Sequence, residues 1–265
     1  MAEASVMGTS LLQVTGLSKS FAGIKAVDDV SFSVEAGSVT ALIGPNGSGK
    51  STTIDCISGF TKADAGRVIL AGKDITGASA HTVAASGLVR TFQNVRVYER
   101  FSLRDNLRIA AGGAAATNPL TFARVREKAP SSEVLDEHIE RVGLQRYREA
   151  PAAILSYGQR KLLALAATLI LNPAIIILDE PLAGVNPSVI RDLSRLLDAL
   201  KSERRTFVII EHNIPFVMRH ADHVVVLEAG RKLMEGPPVT VRADERVMRA
   251  YLGGSGSDVA TEKVP

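Results

Sequence analysis

Residues 44–51 read GPNGSGKS. This fits G-x-x-x-x-G-K-[ST], the residue order of a loop that holds phosphate. Gly44, Gly47 and Gly49 let the backbone curl until successive N–H groups point inward at anionic oxygens. The backbone from Gly44 through Pro45, Asn46, Gly47, Ser48, Gly49, Lys50, Ser51 and Thr52 is the expected cradle. The helix that follows adds the positive end of its dipole. Lys50 would reach the two outer phosphates as a point charge, and the Ser51 hydroxyl suits Mg²⁺. A second segment, AIIILDE over residues 174–180, is an apolar run ending in two carboxylates. At the carboxyl end of a strand in an open α/β sheet they would stand beside a phosphate loop. There Asp179 suits a water-mediated contact to Mg²⁺, and Glu180 is placed to polarise an attacking water. Without the phosphate loop, two solvated acids before Pro181 would be the plainer reading. A third segment, LSYGQ at 155–159, precedes the apolar stretch RKLLALAATLIL. Ser156 and Gln159 have the spacing of a helix capping box. The same helix start could serve as an anion site, and spacing alone leaves both readings open.

These residues need a scaffold that brings them together. Solid β-branched or leucine runs at 11–15, 30–34, 39–43, 67–70, 174–178, 206–210 and 224–227 read as strands. Unbroken apolar runs suit strands buried on both faces of a parallel sheet. Helical patterns at 161–171, 188–201 and 214–220 lie among the later runs. The alternation predicts a doubly wound α/β core. The N-terminal third predicts a small antiparallel layer against it. Residues 102–148 show no strand and look mostly helical, with Ser102 as a helix N-cap. Residues 112–130 read as a low-complexity loop, and the tail over 254–265 has nothing to bury and is expected to be disordered.

Composition narrows the function classes. The chain has 265 residues, 46% hydrophobic and 22% charged, which is ordinary for a globular protein. Cys56 is the only cysteine, so a disulfide framework is excluded. It reads as a small buried packing residue. The N-terminal residues lack a basic cluster and a long apolar core, which suits the cytosol. The longest apolar runs, 162–171 and 174–178, fall well short of the roughly 20 residues that cross a bilayer. A net charge of +3 with 5% aromatic residues and no Trp argues against nucleic acid as a partner.

With the phosphate loop, LSYGQ and ILDE in this order, the chain resembles the ATPase subunits of ABC transporters from about residue 11 to residue 253. The resemblance implies one ATPase domain over 11–253. It would hold a P-loop NTPase core with a mainly parallel sheet, a small antiparallel β subdomain and a helical subdomain at about 94–172. It places Phe21, in KSFAGIKAVDDVSF, against adenine. Gln93, in RTFQN, falls at the family's glutamine loop, which touches Mg²⁺ and senses the membrane subunit. Residues 183–186 (AGVN) match the loop that crosses the dimer interface, and His212, in VIIEHN, matches the histidine facing the γ-phosphate. Each has a plain reading as well. Phe21 could be a core aromatic, Gln93 a solvated amide, Asn186-Pro187 a helix start, and His212 a satisfied histidine.

The wording of GLVRTFQNVRVYERFSLRDNL, LSYGQRKLLALA, IIEHNIPFVM and RVMRAYLGG is similar to the LivG-type subunit of branched-chain amino acid uptake systems. Val185 stands where that type carries Leu. In this family two ATPase subunits pack head to tail. Each ATP then lies between one subunit's phosphate loop and the other's Ser156, Gly158 and Gln159. The resemblance therefore implies hydrolysis of ATP with Mg²⁺, with Glu180 as general base and Lys50 and His212 on the γ-phosphate. It implies a second ATPase subunit, identical or related, and two integral membrane permeases. An extracytoplasmic binding protein would take part indirectly, and the subunit would sit at the cytoplasmic face of the inner membrane. The other readings are an exporter of the lipopolysaccharide-transport type, whose glutamine loop reads like LPQ, and an importer of other amino acids, amides, urea or small carboxylates. Soluble ABC proteins that act on nucleic acid carry a coiled-coil insertion or two cassettes, for which this chain is too short.

Overall fold

The computed structural model describes residues 10–91, 97–113 and 130–252. Its strands in chain order are β1 (Ser10–Phe21), β2 (Ile24–Glu35), β3 (Val39–Ile43), β4 (Ala65–Leu70), β5 (Lys73–Asp74), β6 (Leu88–Thr91), β7 (Ile175–Asp179), β8 (Thr206–Ile210), β9 (His223–Glu228) and β10 (Arg231–Gly236). The helices are α1 (Lys50–Ile57), α2 (Ala80–Ala85), α3 (Leu103–Gly113), α4 (Ser132–Arg141), α5 (Tyr157–Leu169), α6 (Pro187–Ser202), α7 (Ile214–His220), α8 (Pro238–Ala243) and α9 (Glu245–Leu252).

Two sheets organise the described residues. The larger has the order β10-β9-β3-β8-β7-β6, parallel from β9 through β6, with β10 antiparallel at one edge. The smaller, β2-β1-β4-β5, is antiparallel. This is the expected α/β core with its antiparallel layer.

The apolar runs form strands because both faces are covered. Ile175 and Ile177 of β7 pack among residues of the antiparallel layer and α1, whereas Ile176 and Leu178 pack on the helical side. β8 divides the same way, Val208 and Ile210 against Phe207 and Ile209. Burying each such side chain contributes about 1.5–3 kcal/mol relative to leaving it exposed. The helical side joins Leu103 and Leu107 of α3, Leu135 and Ile139 of α4, and Leu162, Leu163 and Ala166 of α5 in one core.

Helix starts follow their sequence signals. Ser102 Oγ accepts the Asp105 N–H at 3.0 Å ahead of α3. Asn186 Oδ1 accepts the Val189 N–H at 3.1 Å, with Pro187 in the first turn of α6. Cys56 is buried, and burial pushes its thiol pKa up to about 11.

The structure also departs from the sequence expectations. β1 extends to Phe21 and β2 begins at Ile24, well beyond the apolar stretches at 11–15 and 30–34, because long antiparallel pairing with bulges carries polar residues along. α5 takes the start marked by the Ser156–Gln159 capping box, at Tyr157, ahead of the apolar run from 161, and it ends at Leu169 rather than at 171. β6 and β10 were not expected. β6 is four residues long and holds Arg90, and β10 is a charged edge strand with Arg231, Lys232 and Glu235. The tail over 254–265 and residues 114–129 of the expected loop lie outside the described residues.

Candidate functional site

Three adjacent parallel strands end at one place. β8 lies between β3 and β7, and the register aligns Leu42 with Ile210 and Ile210 with Asp179. Beyond that line β3 runs into the loop from Gly44, β8 into Glu211 and His212, and β7 into Glu180. Segments more than a hundred residues apart in sequence therefore meet at the carboxyl ends of the strands, where α/β sheets bind ligands.

The loop borders an open cavity of about 280 Å³ lined by Asn46, Gly47, Ser48, Gly49, Lys50, Ser51 and Thr52 together with Ala26 and Glu180. α1 starts at Gly49 with no side-chain cap, which leaves the N–H groups of its first turn to a ligand. Gly44 is buried directly after β3. The buried Ser48 hydroxyl has no hydrogen-bond partner among the described residues. Lys50 folds back over the loop and donates to the carbonyls of Gly44 at 2.8 Å and Pro45 at 3.0 Å. Burial lowers its pKa, and the charges of Glu180 and Asp179 oppose that shift. A lysine held on neutral carbonyls can exchange them for phosphate oxygens without leaving its pocket.

Asp179 is engaged from the side. Arg90, on β6, donates to Asp179 Oδ2 at 2.6 Å and also to Asp55 of α1. Burial works against the Arg90 charge, but the two carboxylates carry its pKa above the ordinary value. Arg90 thereby ties the helix after the phosphate loop to the strand carrying the acids. Its signal in the sequence is a single cation in a short apolar stretch, LVRT, which by itself points to no site.

The remaining candidates are distributed around this centre. Gln93 lies outside the described residues, just after β6, whose last residue, Thr91, pairs with Leu178. His212 projects outward with its side chain 64% exposed. Phe21 is 49% exposed at the end of β1, with Lys19 Nζ 5.3 Å from its ring centroid, so the core-aromatic reading fails. Its partner strand β2 carries Ala26, which lines the cavity.

Ser156, Gly158 and Gln159, at the start of α5, are not among the residues that line the cavity, and Gly158 is buried. Ser156 and Gln159 complete the capping box, with Ser156 N–H donating to Gln159 Oε1 at 2.9 Å and Gln159 N–H to Ser156 Oγ at 3.3 Å. Gly158 also has a packing reason, because a Cβ there would lie 2.9 Å from Val189 Cγ2. Within one chain, then, the helix start of α5 and the phosphate cradle are separate.

Comparison with known proteins agrees with this architecture. A model described as ABC transporter matches residues 27–183, and one described as branched-chain amino acid ATP-binding cassette transporter matches residues 231–256. The high-affinity branched-chain amino acid transport ATP-binding protein BraF of Pseudomonas aeruginosa is 38% identical over 253 residues, covering 93% of this chain and 99% of that protein. The corresponding protein LivG of Escherichia coli K12 is 35% identical over 256 residues, covering 93% and 99%. Among solved structures, the ADP conformation of an ATP-binding cassette of an ABC transporter matches with a TM-score of 0.80 at 35% identity, covering 92% of this chain and 99% of that one.

Proposed function

The chain belongs to the ABC transporter family of ATP-binding subunits, and from that premise we propose that it hydrolyses ATP to drive uptake of branched-chain amino acids through a pair of membrane permeases. The observation that carries the reading is the presence of Glu180 in the wall of the phosphate cavity, opposite the loop of residues 46–52. A carboxylate there can take a proton from water as the water attacks the terminal phosphate. Lys50 and His212 would stabilise charge on that phosphate. Phe21, exposed at the end of β1 and paired with the strand that carries Ala26 of the cavity wall, would offer an aromatic face to adenine.

The donors present suit Mg²⁺, which takes hard oxygen ligands and few carboxylates. Ser51 and Asp179 would hold it, with Gln93 as the further candidate. When bound, Mg²⁺ would neutralise charge on the phosphate oxygens.

The far side of the site would come from a second ATPase subunit, whose Ser156, Gly158 and Gln159 present a helix N-terminus to the γ-phosphate. The separation of those residues from the cavity within one chain supports this arrangement. ATP then joins two subunits and hydrolysis releases them, a nucleotide-driven two-state switch. No helix among the described residues is long and apolar enough to cross a membrane. Attachment at the cytoplasmic face would therefore run through the permeases, with an extracytoplasmic binding protein delivering the amino acid. The domain would span 11–253, with its helical part at about 94–172.

The test is transport. The tagged chain, co-purified with its permeases and reconstituted into vesicles with the binding protein, should accumulate radiolabelled leucine only when ATP is supplied on the side of the ATPase. Accumulation of urea or an amide in place of leucine would move the substrate assignment, and outward movement would overturn the importer reading.

A further inference from the structure

Glu211 accepts hydrogen bonds from the turn of Glu180, proposed as the base, and from the turn of His212, proposed to face the γ-phosphate. It follows β8, precedes His212, and its side chain is 0% exposed. Its Oε1 accepts the N–H of Leu182 at 2.8 Å. Its Oε2 accepts the N–H of His212 at 3.0 Å and of Asn213 at 3.2 Å. Leu182 belongs to the turn that begins at Glu180, so one carboxylate grips both turns from inside.

Glu180 has φ +46, in the left-handed region. A non-glycine residue persists there only where its surroundings over-determine the backbone. Here the Glu180 N–H donates to Ile210 O at 3.0 Å. Lys161 Nζ, from α5, donates to the carbonyl of Glu180 at 2.9 Å and to that of Ala183 at 2.8 Å. The turn is thus held by a cation on its carbonyls and an anion on its N–H. Burial lowers the Lys161 pKa, and attraction to Glu211 is the largest opposing effect.

We propose that Glu211 and Lys161 are positioning residues that lock the turns of Glu180 and His212 into one unit, so that the general base and the γ-phosphate histidine engage together. The proposal rests on the roles given above to Glu180 and His212. It concerns catalytic geometry and leaves nucleotide affinity to the phosphate loop, which neither residue touches.

Glu211→Gln is the direct test. Glutamine keeps one acceptor oxygen and turns an NH₂ toward the remaining N–H donors, so it can hold only one of the two turns. Displacement of a catalytic group by about 1 Å can cost roughly 100-fold in rate. Glu211→Gln should therefore lower kcat by about 10–100-fold while ATP Kd stays within about threefold. Lys161→Met, which frees the carbonyls from the other side, should show the same split and serves if the glutamine variant does not fold. In a Glu180→Gln background, Glu211→Gln should cost no further turnover. Unchanged kcat in both single variants would overturn the clamp. So would kcat and affinity falling together, which is the mark of a merely structural residue. Glu180→Gln measured alongside separates the two levels. If it turns over like the wild type, the base assignment fails and the clamp fails with it. If it is inactive while Glu211→Gln and Lys161→Met turn over normally, only the clamp fails.

Discussion

Glu180→Gln should bind ATP as the wild type does and lose turnover by ~10²–10⁴-fold. The size of the loss comes from the chemistry removed. Glutamine has the shape of glutamate and the same hydrogen-bond reach, but it cannot accept a proton from water at neutral pH. The cavity wall keeps its shape, and Lys50 keeps its carbonyl contacts with Gly44 and Pro45. Affinity should therefore stay nearly unchanged, so the loss falls on kcat. Steady-state hydrolysis together with a nucleotide titration reads both quantities. Turnover within about threefold of the wild type would remove Glu180 from the role of base, since a positioned base supplies far more than that.

Gly49→Ala should abolish useful nucleotide binding and lower Tm. Gly49 has φ +97, a conformation that costs other residues about 1–3 kcal/mol. A Cβ there would also lie 2.4 Å from the Ala26 carbonyl oxygen, a backbone atom of β2 that cannot move alone. Forcing an extra methyl into packed surroundings typically costs another 1–3 kcal/mol. The methyl is accommodated only if the loop and β2 part, which opens the cavity wall. A combined cost near 3 kcal/mol or more corresponds to at least about 100-fold in affinity. Gly47→Ala is the internal control. It has φ +79 but meets nothing within 4 Å, so it should show the backbone strain without the collision. Equal effects of the two substitutions would mean that the contact with Ala26 does not matter.

The parts of the site legible in the sequence are those encoded locally. The spacing of Gly44, Gly49, Lys50 and Ser51 between an apolar run and a helical pattern carries the phosphate-loop motif within one short segment. The acid pair at 179–180 was legible because an apolar run stopped at it, and the capping box of Ser156 and Gln159 needs only four residues. What the sequence did not reveal depends on which strands lie side by side. Arg90 can bridge Asp55 and Asp179 only because β6 pairs with β7, a partnership invisible in a four-residue segment. Glu211 looked like an ordinary acid beside His212 until folding enclosed it against the Glu180 turn. Phe21 taken by itself could equally be a core aromatic, and the structure exposes it because the hairpin of β1 and β2 ends there. Edge strand β10 was missed because its charges belong to an edge rather than to an apolar run.

The proposed hydrolytic site is completed by a second subunit. ATP hydrolysis by the purified chain should be measured across protein concentration, with sedimentation run on the same samples. A shared site predicts that activity per molecule rises with concentration and levels off as dimers form under ATP. Constant activity per molecule, down to concentrations where sedimentation shows only monomers, would contradict it.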